Sequence, residues 1–231
     1  MREIVFDTET TGLDPFQGDR LVEIGCIELI NRFPSGKTFH CYFNPQRDMP
    51  ETAQKIHGLS IEFLNDKPLF ADKVEELMAF IAEDPLIAHN AMFDLGFLNA
   101  ELERAGRGTV SRERMVDTLL LARRKHPGGS NRLDDLCARY AIDNSRRTKH
   151  GALLDAELLA EVYVELIGAR QAQLVLAQSA ATERVAGEPI VLRERPEPLA
   201  ERLSDEARAA HRRFVATLGD NAIWRDYLSL D

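Results

Sequence analysis

Ile4-Val5-Phe6-Asp7-Thr8-Glu9-Thr10-Thr11-Gly12, at the start of the 231-residue chain, is the stretch that decides the fold. Ile4-Val5-Phe6 reads as a buried central strand, and Glu3 to Thr8 alternates as a strand does. Asp7 and Glu9 are two apart, so on a strand they share one face. Like charges held that close repel unless a positive group lies between them. At the end of a buried strand a divalent cation is the natural compensator, and oxygen-only ligands favour Mg²⁺ or Mn²⁺ over zinc. An acidic pair on an exposed strand surface is the alternative at this point. Thr10-Thr11-Gly12-Leu13 then turns the chain sharply.

Outward from this strand, Leu21 to Ile30 and Thr38 to Phe43 read as two more, the last ended by Asn44-Pro45. Ser60 is placed to cap a short helix through Leu64. The stripe Val74, Leu77, Met78 and Ile81 predicts a helix over 71–82. Leu86-Ile87-Ala88 is a short buried strand, and a helix over 91–105 follows, closed by Gly106. Val116 lies on a further strand. Helices are expected over 118–125, 132–140 and 152–167. Three strands followed by mixed strands and helices imply an α/β domain over 1–170 with a mixed sheet flanked by helices.

Beyond Gly168 the composition changes. Residues 171–203 are rich in Ala and Gln, then in Pro and charge, as expected of a flexible linker. Helical spacing returns over 204–218, with Ser204 favouring a helix start. The segment 204–231 ends in Ile223, Trp224, Tyr227, Leu228 and Leu230, an aromatic-aliphatic cluster that must dock on the main domain or on a partner. No apolar run is long enough to cross a bilayer, and the N-terminus has no signal-peptide pattern, so a cytoplasmic protein with no membrane partner is expected. Cys26, Cys41 and Cys137 are odd in number and scattered, and read as reduced thiols. Net charge is −9, which argues against tight autonomous binding to nucleic acid. Yet residues 101–149 carry 12 Lys+Arg against 7 Asp+Glu, which makes either a basic face beside an acidic site or a solvated helix surface.

Two further clusters carry chemistry. His89-Asn90-Ala91-Met92-Phe93-Asp94 follows a buried strand. Asp94 sits near a helix start, where the dipole alone would favour a carboxylate, and Asn90 either orients a ligand or caps the helix. His150-Gly151-Ala152-Leu153-Leu154-Asp155 places a histidine before a helical aspartate. A spacing of five does not share a helix face, so His150 is expected on a loop arching over Asp155, or else as a surface histidine.

Together, D-T-E-T-T-G at 7–12, H-N-A-x-F-D at 89–94 and H-G-A-L-L-D-A at 150–156 resemble the three motifs of the DEDDh exonuclease superfamily, over roughly three quarters of the chain. The stretch from Leu133 through Arg147 further resembles the polymerase III epsilon branch of that superfamily. The resemblance implies an RNase H-like sheet, with Asp7, Glu9, Asp94 and Asp155 as metal ligands for two ions, Mg²⁺ or Mn²⁺, and His150 as catalytic base. It implies 3′→5′ hydrolysis at a single-stranded or frayed DNA 3′ end. Asp7, Glu9, Thr10, Thr11, Gly12, Leu13, His57, Asn90, Phe93 and Asp155 would contact the substrate. Where the family commonly has a Glu five residues before His57, this chain has Thr52. The branch also implies a sliding-clamp peptide at Gln171, Leu174 and Leu176, and docking of the tail, with Trp224 and Tyr227, on the polymerase catalytic (alpha) subunit. An exoribonuclease of the same superfamily and a non-catalytic polymerase–clamp adaptor are the rival readings. The linker argues against the first and the full carboxylate–histidine set against the second.

Overall fold

The computed structural model of the chain describes residues 1–147, 149–169 and 204–218. The chain divides into two units, Met1–Leu174 and Val175–Asp231. The first contains a five-stranded sheet. Its strands are β1 (Arg2–Thr10), β2 (Leu21–Ile30), β3 (Phe33–Tyr42), β4 (Leu86–Ala88) and β5 (Met115–Asp117), in the order β3-β2-β1-β4-β5. β1–β2 and β2–β3 pair antiparallel, whereas β1–β4 and β4–β5 pair parallel. β1 is therefore central, as its apolar start predicts.

The helices of this unit are α1 (Glu51–His57), α2 (Ile61–Leu64), α3 (Phe70–Ile81), α4 (Ala91–Arg104), α5 (Thr118–Lys125), α6 (Leu133–Tyr140) and α7 (Ala152–Leu166). They cover both faces of the sheet. Alternation along β1 divides the core. Ile4 and Phe6 join Leu77, Ile81, Phe97 and Leu98 of α3 and α4, whereas Val5 joins Leu136, Cys137, Leu159 and Tyr163 of α6 and α7. Each face thus buries a continuous apolar layer, the dominant favourable contribution to folding.

Most elements lie where the sequence puts them. Two differ. β3 begins at Phe33, well before Thr38, because Asn31 and Arg32 both take positive φ (51° and 74°) in a tight hairpin turn. Pro34-Ser35-Gly36 looks like a loop in sequence but lies on an edge strand, where a missing N–H is tolerated. α1 is the second difference: it is only seven residues long, and its N-cap is Pro50, with no side-chain cap to announce it.

A close approach between helix and sheet occurs at Gly25. This residue faces Asp7 across the β1–β2 ladder, and the start of α7 rests on it. A Cβ at Gly25 would lie 2.3 Å from the backbone N and Cα of Leu153. The missing side chain lets α7 reach the sheet beside the end of β1.

In the second unit the described helix is α8 (Asp205–Thr217), whose N-cap Ser204 accepts a hydrogen bond from the Ala207 N–H at 3.2 Å. Gln171, Leu174, Leu176, Trp224 and Tyr227 lie outside the described residues. Among the described residues no helix is long and apolar enough to cross a membrane. Cys26 and Cys137 are buried, Cys41 is half-buried, and all three are free thiols.

Candidate active site

The parallel strands β1, β4 and β5 end on the same side of the sheet, where a crevice outside strand C-termini commonly holds a ligand. An open cleft of about 950 Å³ lies there. Asp7, Glu9, Asp94, His150 and Asp155 all line it, together with Asn90 and Phe93. Three distant segments of chain are thus brought together.

Each carboxylate arrives by a separate local rule. Asp7 and Glu9 share the face of β1 that carries Val5 and meets α7. Thr8 faces the other way, and its hydroxyl donates to Asp94 Oδ1 at 2.7 Å. Asp94 lies in the first turn of α4 and Asp155 in the first turn of α7, positions that helix N-termini favour for acids. Asn90 is the N-cap of α4, in a left-handed conformation (φ 66°), but its side chain makes no capping bond. His150 precedes α7 on a loop, as expected, with Nδ1 3.3 Å from Asp155 Oδ2.

The electrostatics are those of a cation site. Burial, then the charges of Asp94, Glu9 and Asp155, push the Asp7 carboxyl well above its ordinary value. Burial and Asp155 push Glu9 up to about 8. Burial raises Asp94 to about 7, although the Thr8 hydroxyl opposes it. Asp155 moves the other way. Burial would raise it, but its pairing with His150 and Arg147 outweighs that and holds it low.

Elsewhere the buried acids have partners. Glu101 binds Arg20 at 2.6 and 2.9 Å and Arg104 at 3.0 Å. Glu28 binds Arg2 at 2.5 Å. Glu3 binds Arg32 at 2.9 Å and the Tyr163 hydroxyl at 2.8 Å. Among the described residues, no ion pair reaches Asp7 or Glu9. Ligand atoms of Glu9, His150 and Asp155 all lie within 4.8 Å of one another. Crowded, proton-hungry oxygens with one imidazole fit a hard divalent cation. Arg123 and Arg132 also line the cleft, which suits a phosphate-bearing substrate.

The remaining predicted contacts are not on the cleft wall. Thr10 Oγ1 donates to the Gly12 carbonyl at 2.6 Å, and Thr11 Oγ1 accepts from the Arg20 N–H at 2.9 Å. The Thr11 N–H is itself taken by the Arg20 carbonyl at 2.9 Å. That amide is therefore spent on the turn and is not available to a nucleotide. Leu13 stands 83% exposed at the tip. His57 is buried, with Nδ1 accepting from the Leu59 N–H at 3.0 Å. It lies next to the loop that carries His150: the His150 N–H donates to the Ile56 carbonyl at 3.3 Å, and Lys149 packs on Gly58, whose φ is +79°. Thr52 is exposed on α1.

Thr8, Asp134 and Arg147 line the cleft although the sequence assigns them no role. Thr8 lies between the two acids, and the same alternation places it on the opposite face. Arg147, three residues before His150, gives no local signal.

The exonuclease family's sequence profile matches residues 4–163. The DNA polymerase III epsilon subunit of Escherichia coli K12 is 41% identical, with 97% of each chain covered. The chain belongs to the epsilon-subunit family of DNA polymerase III. The epsilon subunit of Rickettsia typhi is 55% identical over 74% of this chain and 76% of its own. Among solved structures, exonuclease X in complex with 5′ overhanging duplex DNA superposes with a TM-score of 0.55 at 23% identity, covering 72% of this chain and 92% of that one, which supports the shared fold. As an epsilon-family exonuclease the chain is a 3′→5′ proofreading nuclease, and its donor set and family imply dependence on a divalent metal.

Proposed function

We propose that this epsilon-family exonuclease removes the terminal nucleotide of a frayed DNA 3′ end, releasing a 5′-nucleoside monophosphate and leaving a new 3′-hydroxyl. The observation that carries the reading is the convergence of Asp7, Glu9, Asp94, Asp155 and His150 in one cleft at the ends of three parallel strands. Asp7, Glu9, Asp94 and Asp155 would hold the two ions. When bound, two Mg²⁺ or Mn²⁺ ions supply Lewis-acid activation of the attacking water and stabilisation of the leaving oxygen. His150 accepts the water's proton. Phe93 and Asn90 border the space for the last nucleotide, and the exposed Leu13 wedges against its base. His57 acts through the loop that holds His150. Selectivity comes from fraying: a mismatched end unpairs at lower cost and reaches the cleft more often.

The partners follow from the same family. Residues 1–170 form the exonuclease domain. Residues 171–203 form a linker that presents Gln171, Leu174 and Leu176 to the sliding clamp. Residues 204–231 dock on the polymerase catalytic (alpha) subunit, with Trp224 and Tyr227 as anchors. Tethering compensates for the weak DNA binding expected of an acidic chain.

The test is nucleotide release from 3′-end-labelled single-stranded DNA and RNA in Mg²⁺, Mn²⁺ or EDTA, with Asp7→Ala as control. Metal-dependent digestion of DNA, lost in the control, is expected. Preference for RNA would place the protein with the exoribonucleases, and inactivity on both substrates would leave the adaptor reading.

A further inference from the structure

Arg147 reaches into the acidic cluster from the loop before α7, and its side chain is only 7% exposed. Its guanidinium grips Asp155 with a two-pronged fork, Nε to Oδ1 at 2.5 Å and Nη2 to Oδ2 at 2.7 Å. Nη1 binds Asp134 Oδ2 at 2.7 Å. Nη2 also approaches His150 Nδ1, at 2.8 Å. A guanidinium only donates, so Nδ1 accepts here, and in the neutral ring Nε2 then carries the hydrogen. Held this way, His150 has no free lone pair for a water proton. One side chain therefore occupies both oxygens of a metal ligand and blocks the base.

We propose that Arg147 is an internal competitor of the divalent metal, which must displace it from Asp155. The proposal rests on the metal reading of the carboxylate cluster. The arginine fork holds both Asp155 oxygens and sets a positive charge against them, so a metal ligated by Asp155 binds at full strength as that fork opens. A guanidinium and a divalent ion on one carboxylate would also repel. Asp134, half exposed and steadied by Asn144 Nδ2 at 3.1 Å, keeps the released guanidinium at the rim. Opening the fork frees His150 Nδ1 in the same motion. Metal loading and release of the base are thus one event.

The experiment has two readouts on the full-length chain. Calorimetric titration with MnCl₂ compares wild type with Arg147→Gln and Arg147→Lys. The glutamine variant should bind Mn²⁺ about tenfold more tightly, the gain expected when a charge-assisted pair need not be broken. The lysine variant, with the charge but not the fork, should fall between. In ¹H–¹⁵N spectra the Arg147 Nε–H signal, assigned by its loss in Arg147→Gln, should be present in EDTA and move or vanish with saturating MgCl₂. Equal affinities, or tighter binding with an unmoved Nε–H signal, would overturn the displacement. No Mn²⁺ binding by wild type or variants would overturn the metal reading itself.

Discussion

Gly25→Ala tests whether the closeness of α7 to the sheet sets the active-site geometry. The added methyl would start 2.3 Å from the Leu153 N and Cα and 2.5 Å from the Ala152 carbonyl carbon. These are backbone atoms, which cannot rotate away. Ordinary contact begins near 3.4 Å, so the helix start must retreat by roughly 1 Å. Overpacking of that kind costs about 1–3 kcal/mol. The kinetic effect should be larger in proportion, because Asp155 lies two residues beyond Leu153 and His150 three before it, while Asp7 faces Gly25 itself. Displacing catalytic groups by about 1 Å costs on the order of 10²-fold in rate. Urea denaturation and kcat/KM on labelled single-stranded DNA at saturating Mn²⁺ would measure both, with Gly108→Ala, which meets nothing within 4 Å, as control. A Gly25→Ala protein with wild-type stability and rate would refute the idea that this contact holds the two halves of the site in register.

Three other outcomes are expected. In EDTA, stability should fall as pH rises: the folded chain holds protons on Glu9 (about 8) and Asp94 (about 7) that the unfolded chain releases near ordinary carboxylate values, so this contribution is complete at low pH and lost through about pH 7–8. The slope, on the order of a few kcal/mol in urea titrations, should flatten in saturating Mg²⁺, and a flat profile in EDTA would contradict it. Glu101→Ala should destabilise by about 2–4 kcal/mol in chemical denaturation, because Arg20 and Arg104 lose the anion they share; a loss below about 0.5 kcal/mol would show that solvent replaces it. His150→Ala should keep its fold and much DNA binding yet lose about 10²–10⁴ in turnover, and near-normal turnover would remove His150 from the role of base.

The sheet was legible because its central strands are buried on both faces and written in Ile, Val, Phe and Leu, and the long amphipathic helices because their stripes are wide. Short elements carried less signal: α1 has seven residues and no side-chain cap. The carboxylates that converge in the cleft were legible as motifs, and alternation alone placed Asp7 with Glu9. What periodicity cannot convey is how a polar side chain spends its hydrogen bonds. Thr10 and Thr11 serve their own turn, His57 is buried, and Arg147 binds two acids far from it in sequence or across a loop. Those partnerships depend on tertiary geometry, which brings α1, α6 and α7 to one corner.

Asp7 and Glu9 come from the first strand of the exonuclease unit and Asp155 from its last described helix, and the docking of α7 on β1 and β2, closest at Gly25, unites them. Contacts so distant along the chain can form only once both segments exist, and they carry the entropy cost of closing the loop between them. A half-made chain emerging from the ribosome therefore carries every motif but the last and no assembled cutting site. Competence to degrade DNA is a property of the chain that extends through α7.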